Sequence, residues 1–169
     1  MLKNVKTISL CLVLVAFIGI SCSKKNDTEQ IRNMIGKQAT LAQEHKIDDL
    51  LKFVTEDFTA LPGNYDAESI KGILSVTFQY YGDFTIYYPI PSVDVAEDAQ
   101  SATAKIYYVI VNQDKPVPGL KELYDDPQQW VEAAGEKADL YQLNLDLVKV
   151  DGDWRVKKAQ TEGFRGWNY

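Results

Sequence analysis

The stretch from Leu140 to Phe164 constrains this chain most. From Tyr141 the residues alternate: Tyr141, Leu143, Leu145 and Leu147 are apolar, and Gln142, Asn144 and Asp146 between them are polar. A period of two belongs to a strand with one buried and one wet face. Asp151-Gly152 then interrupts the run, a dipeptide that accepts the positive φ of a type I′ turn. With those two residues as the loop, Val150 pairs with Asp153, Lys149 with Trp154 and Leu147 with Val156. That register gathers Leu143, Leu145, Leu147, Trp154 and Val156 on one face. An antiparallel hairpin with one apolar face needs a cover, and the rest of the chain must supply it.

The first residues carry an address instead of a cover. Lys3 and Lys6 form a short positive region, and the run from Ile8 to Ile20 is almost wholly apolar. Such a run is short for a membrane span and has the length of a secretory hydrophobic region. It ends in Gly19-Ile20-Ser21-Cys22, which resembles the lipobox of bacterial lipoproteins, with Gly19 where that motif usually has Leu. The resemblance implies a signal peptide over 1–21, lipidation at Cys22 and a short tether over 22–26. It also implies a place in the bacterial cell envelope, on the outer membrane or the periplasmic side of a membrane, with the membrane as partner through the acyl chains. The alternative is an ordinary signal peptide or membrane anchor with an incidental cysteine. The two cysteines are Cys11, within the segment to be removed, and Cys22. A mature domain without a disulfide must rely on its core.

Charge narrows the partners. Removing residues 1–21 takes Lys3 and Lys6 from 18 basic residues and leaves 24 acidic ones, so the net charge falls from −6 to −8. This balance speaks against a nucleic-acid binder, which presents a basic face. It also speaks against a membrane contact made by charge rather than by lipid.

From Asp27 the period becomes helical. Asp27 is placed to cap a first helix, with Gln30 three residues on as in a capping box. Ile31, Met34, Ile35, Gln38, Ala42 and His45 recur on one face. A short helix is expected over Asp48 to Val54 and a brief strand over Asp57 to Leu61. A third helix, capped by Asp66, carries Ile70, Ile73, Leu74, Thr77, Phe78 and Tyr81 on one face and ends at Gly82-Asp83. Phe84, Ile86 and Tyr88 then alternate in a strand. Pro89 and Pro91 cannot donate to a ladder, so the strand is bent or on an edge there. Val93 and Val95 continue on the other parity, as a bulge requires. The run from Ala102 to Val111 is apolar on both parities, as in a central strand covered on each face. Between Asn112 and Lys137 the chain makes an excursion, in which Asp126-Pro127 starts a helical turn bearing Trp130, Val131 and Ala134.

Helix, short helix, short strand, helix and then long strands is an α+β order. This order, the stretch from Glu44 to Leu51, and the closing Asp151-Gly152-Asp153-Trp154-Arg155-Val156 resemble the nuclear transport factor 2-like superfamily. The resemblance implies a single domain over 27–169, with the excursion at 112–137 outside the pattern. It implies a curved antiparallel sheet wrapped around the N-terminal helices as a cone, with a cavity or packed core between them. Ketosteroid isomerases and polyketide cyclases share the fold, so a small lyase- or isomerase-like enzyme is one reading.

The residues favour a different one. A single histidine and no usable cysteine leave no zinc-like spacing, and no cofactor or glycine-rich phosphate loop is indicated. His45 reads as a residue at a helix C-terminus. Asp57 and Asp83 read as acids that cap or turn the chain, so no catalytic residue is assigned. The tyrosines are the better lead: Tyr80-Tyr81, Tyr87-Tyr88 and Tyr107-Tyr108 come in pairs. On strands, Tyr88 and Tyr108 then point to one side of the sheet and Tyr87 and Tyr107 to the other. One account is cross-strand packing with the second face used for a homodimer. The other is a cavity in which Tyr81, Tyr88, Tyr108, Trp130 and Tyr141 contact an apolar ligand, the hydroxyls serving as donors. The excursion is expected to fold over the mouth of that cavity as a lid, the alternative being a contact with a second subunit. The resulting expectation is a non-enzymatic envelope lipoprotein whose cone binds a small apolar ligand or a protein partner.

Overall fold

The structure, a computed structural model, describes residues 26–112 and 117–164. Cys22 and the signal-peptide region lie outside the described residues, as do 113–116 of the excursion and the aromatic C-terminal residues 165–169.

Helix α1 spans 26–43. A short helix α2 (Ile47–Leu50) and a 3-10 turn (Leu51–Phe53) lead into strand β1 (Val54–Leu61). Helix α3 (Ala67–Tyr81) follows, then β2 (Phe84–Tyr87), β3 (Ser92–Val95), β4 (Ser101–Asn112), α4 (Pro127–Gly135), β5 (Leu140–Val150) and β6 (Asp153–Phe164). The caps follow sequence chemistry. The Asp66 carboxylate accepts from the Ser69 N–H at 2.8 Å, and Asp126, with Pro127 behind it, accepts from the Gln129 N–H at 3.1 Å. Both satisfy a first-turn donor that a helix cannot satisfy itself. Asp27 does not cap α1. It lies inside the helix, 2% exposed, for a reason given below.

The six strands form one curved, unclosed sheet in the order β1-β6-β5-β4-β2, with β3 also paired to β4. The sheet is mixed rather than wholly antiparallel, because β1 runs parallel to β6 at the edge. The β5–β6 hairpin has the expected register, with Val150 opposite Asp153, Lys149 opposite Trp154 and Leu147 opposite Val156. Asp151 and Gly152 take φ of +52° and +90°, the two left-handed residues of a type I′ turn. Beyond that the ladder slips, since Asp146 faces Lys158. Lys157 is therefore the extra residue of a β-bulge. The Pro89–Pro91 stretch splits what would be one edge strand into β2, against the end of β4, and β3, against its beginning.

Two layers of side chains cover the sheet. On the helix side Ile31, Met34 and Ile35 of α1 pack on Ala102, Ala104 and Ile106 of β4, Leu145 and Leu147 of β5, and Trp154 and Val156 of β6. Fully burying a side chain such as Ile31 or Leu147 contributes about 1.5–3 kcal/mol. On the outer face Val109 and Leu140 are covered by Leu120, Trp130, Val131 and Ala134, with Tyr87 and Tyr107 beside them. The described part of the excursion thus sits on the back of the sheet and not over the mouth of the cone. The register explains this: Val109 and Leu140 are partners and point outward, while their neighbours Tyr108 and Tyr141 point inward. Only the second half of β4, from Ile106 to Val111, is apolar on both parities and covered on both faces, the excursion providing the outer cover; in the first half Ser101, Thr103 and Lys105 are exposed on the outer face.

Candidate functional site

The inner face of the sheet changes character toward the end of β4. Tyr108 stands directly opposite Tyr141, and their rings stack with centroids 5.5 Å apart and planes at 28°. Tyr81, the last residue of α3, lies beside them, close enough for Tyr141 to help raise the pKa of its phenol. Its ring meets Phe84 edge-on at 6.2 Å. Thr161 of β6 lies near the Tyr108 hydroxyl and favours its ionised form. Leu74, Ile86 and Ile110 line the same end of the cone, packed on Ala42, Phe78 and Phe84.

Burial dominates the electrostatics here. It pushes the Tyr108 phenol up to about 12, opposed by Thr161 and reinforced by Tyr141 and Tyr81. Tyr81 is also raised, first by burial and then by Tyr141. A desolvated phenol resists losing its proton, so at neutral pH the cluster is a set of donors. It can hold the oxygen of an otherwise apolar molecule.

The remaining expected ligand contacts lie elsewhere. Tyr88 follows the end of β2 and packs against the main core. Its hydroxyl lies 3.4 Å from where a Cβ on Gly36 would stand, so the missing side chain in α1 lets it approach. Its ring meets Tyr124 edge-on at 6.3 Å. Trp130 is wholly buried on the outer face, on the far side of the sheet from the tyrosine cluster. Thr161 was missed by sequence reasoning. Carrying the hairpin register on without a bulge puts Gln160 opposite Leu143, whereas the slip at Asp146 brings Thr161 there.

Other candidate groups have structural partners. His45 lies in the turn after α1 at φ +56° and stacks on Phe78 and Phe84 at 5.3 and 5.4 Å, with Nε2 3.1 Å from the Gly82 carbonyl. Asp57 is exposed and paired to Lys157 at 3.3 Å. Asp83 is exposed at the entry to β2. Among the described residues, no group of three His, Cys, Asp or Glu is placed to hold a metal ion.

A second polar centre lies at the opposite end of β5. One Asp27 oxygen accepts from Lys149 Nζ at 2.5 Å and from Trp154 Nε1 at 3.1 Å. The ammonium also sits 4.9 Å from the Trp154 ring centre. The other Asp27 oxygen has no hydrogen-bond partner among the described residues. This clamp is why Asp27 is inside the fold. Beside it a shallow groove of about 600 Å³ runs between α1, the 3-10 turn and the hairpin turn, with Met34, Phe53, Trp154 and Arg155 among its lining.

The chain matches no protein-family model and no curated protein. Solved structures do match. An NTF2-like protein with a cystatin-like fold from Novosphingobium aromaticivorans aligns over 99% of this chain and 94% of its own, with a TM-score of 0.60 and 13% identity. A scytalone dehydratase-like protein from the same organism aligns over 85% and 88%, with a TM-score of 0.63 and 14% identity. An NTF2-like protein of unknown function from Pseudomonas putida aligns over 82% and 87%, with a TM-score of 0.62 and 10% identity. The chain has the NTF2-like, cystatin-like cone fold.

Proposed function

We propose that this NTF2-like cone is a cell-envelope lipoprotein, anchored through Cys22, that binds a small, mainly apolar ligand bearing a carbonyl or hydroxyl oxygen. One observation carries the ligand reading: Tyr81, Tyr108 and Tyr141 converge on the inner face, with Tyr108 held protonated up to about 12. Their hydroxyls donate and the surrounding Leu74, Ile86 and Ile110 supply apolar contact. The anchor rests on the apolar run before Ser21-Cys22.

A neighbour resembling scytalone dehydratase, and another described as an aromatic ring hydroxylase, favour a second reading, an enzyme acting on a hydroxylated ring. Proton transfer there needs a base within reach of the substrate. The buried carboxylate among the described residues is Asp27, engaged at the other end of β5. The acid whose charge reaches Tyr81 is Asp139, which is exposed. This placement is why we favour binding over turnover.

Titrating the protein with a naphthol and a naphthyl ketone, followed by fluorescence, tests both readings. Saturable binding that weakens in Tyr108→Phe, with no product formed, is the expected result. Failure of both probes to bind would leave the cone as an element that meets a protein partner. Product formation abolished by Asp139→Asn would establish the enzyme instead.

A further inference from the structure

We infer that the domain stands on the lipid surface on its β5–β6 turn, with the tyrosine mouth turned away from the bilayer. The inference rests on the proposed lipid anchor at Cys22. It is carried by the Asp27 clamp and by the direction of the strands.

The folded domain starts close to the anchor. Residues 23–25 separate Cys22 from Asn26, the first described residue of α1, and the four steps between them reach about 14 Å at most. Asp27, in the first turn of α1, is fixed to Lys149 and Trp154 by two hydrogen bonds from within the fold. A buried acid held in this way keeps the helix start from fraying, which would expose the carboxylate only by breaking both bonds. The anchor therefore pulls on the hairpin end of the sheet. The neighbouring surface, formed by Asp151-Gly152 and the β3–β4 connection, comes along with it, since Gln100 accepts from the Lys149 N–H at 2.9 Å. Tyr141 lies at the other end of β5 from Lys149, about 25 Å away at the rise of a strand. Tyr81 is at that far end too, beside Tyr141 and Phe84. A ligand would then enter from the aqueous side or from a protein facing the membrane, and not from the bilayer.

The mature chain is suited to a direct test, because its cysteine at position 22 is consumed by lipid and no other thiol follows it. Asp153→Cys, beside the turn, and Tyr80→Cys, 84% exposed on α3, each give one labelling site. Lipidated full-length protein, purified from membranes and labelled with a small fluorophore, would be reconstituted on phosphatidylcholine–phosphatidylglycerol vesicles carrying a headgroup nitroxide. We expect quenching at 153 several-fold above that at 80, with the signal at 80 close to a nitroxide-free blank. Inserting a Gly-Ser segment of about twelve residues before Asn26, long enough to free the domain, should erase the difference. Equal quenching at the two sites with the natural tether, or more at 80, would overturn the orientation while leaving the anchor intact. Failure of labelled fatty acid to enter the protein, or equal entry into Cys22→Ala, would overturn both.

Discussion

The two ends of β5 bury polar groups in opposite ways. At Lys149 one oxygen of a buried carboxylate takes both an ammonium and an indole N–H from within the fold, while its other oxygen has no partner among the described residues. At Tyr141 the phenol stacks on Tyr108 and lies beside Tyr81, and all three tyrosines remain partly exposed. The first end has its partners in the protein and its removal should cost stability. The second has hydroxyl capacity left for a visitor and its removal should cost recognition. On the proposed reading, stability and binding are separated along a single strand.

The sharpest way to break that division is Trp154→Ala. The side chain is 5% exposed in the main core, and such truncations cost about 3–5 kcal/mol. An unchanged denaturant midpoint would mean the hairpin end is not the stabilising end. Next is Lys149→Met, which keeps the aliphatic stem and strands the Asp27 charge. Breaking one side of a buried pair costs about 3 kcal/mol, and urea unfolding should show it while naphthol affinity stays unchanged.

At the other end the expected effects are smaller. Tyr108→Phe removes one hydroxyl, worth about 1 kcal/mol of binding, so affinity for the naphthyl ketone should fall several-fold while the unfolding midpoint moves little. A large loss of stability would make the cluster a core element rather than a site. The finest test is alkaline titration followed by tyrosinate absorbance. An unfolded tyrosine releases its proton near pH 10, whereas folded Tyr108 holds it to about 12. Between those values the native state binds more protons than the unfolded one, so stability falls as pH rises. Tyr108→Phe should remove the slowest-rising part of the absorbance and flatten that fall.

Much of this arrangement was legible in the chain, and what escaped has physical causes. The Asp151-Gly152 turn and the alternation on both sides of it determine the hairpin register near the turn, because turn chemistry and burial agree locally. The bulge at Lys157 left no local mark, and it decides whether Thr161 or Gln160 meets the site. Asp27 has the look of a helix cap because capping chemistry is local. Its true partners, Lys149 and Trp154, lie more than a hundred residues away. The helix of the excursion announced itself through Asp126-Pro127. Which face it covers depended on the inward or outward parity of Val109 and Leu140, known only once β4 and β5 are paired. The parallel pairing of β1 likewise depends on the free edge that β6 offers only once it is paired with β5.

The break at Pro89–Pro91 has a consequence for how the protein keeps to itself. An unclosed sheet offers free edges on which another chain can template an additional strand. Along the β2–β3 margin both prolines are fully buried, and neither has an N–H to offer. The margin is cut into two four-residue pieces, Phe84–Tyr87 and Ser92–Val95. An incoming strand finds no long register to grip, and two copies of the chain are thereby discouraged from zipping edge to edge.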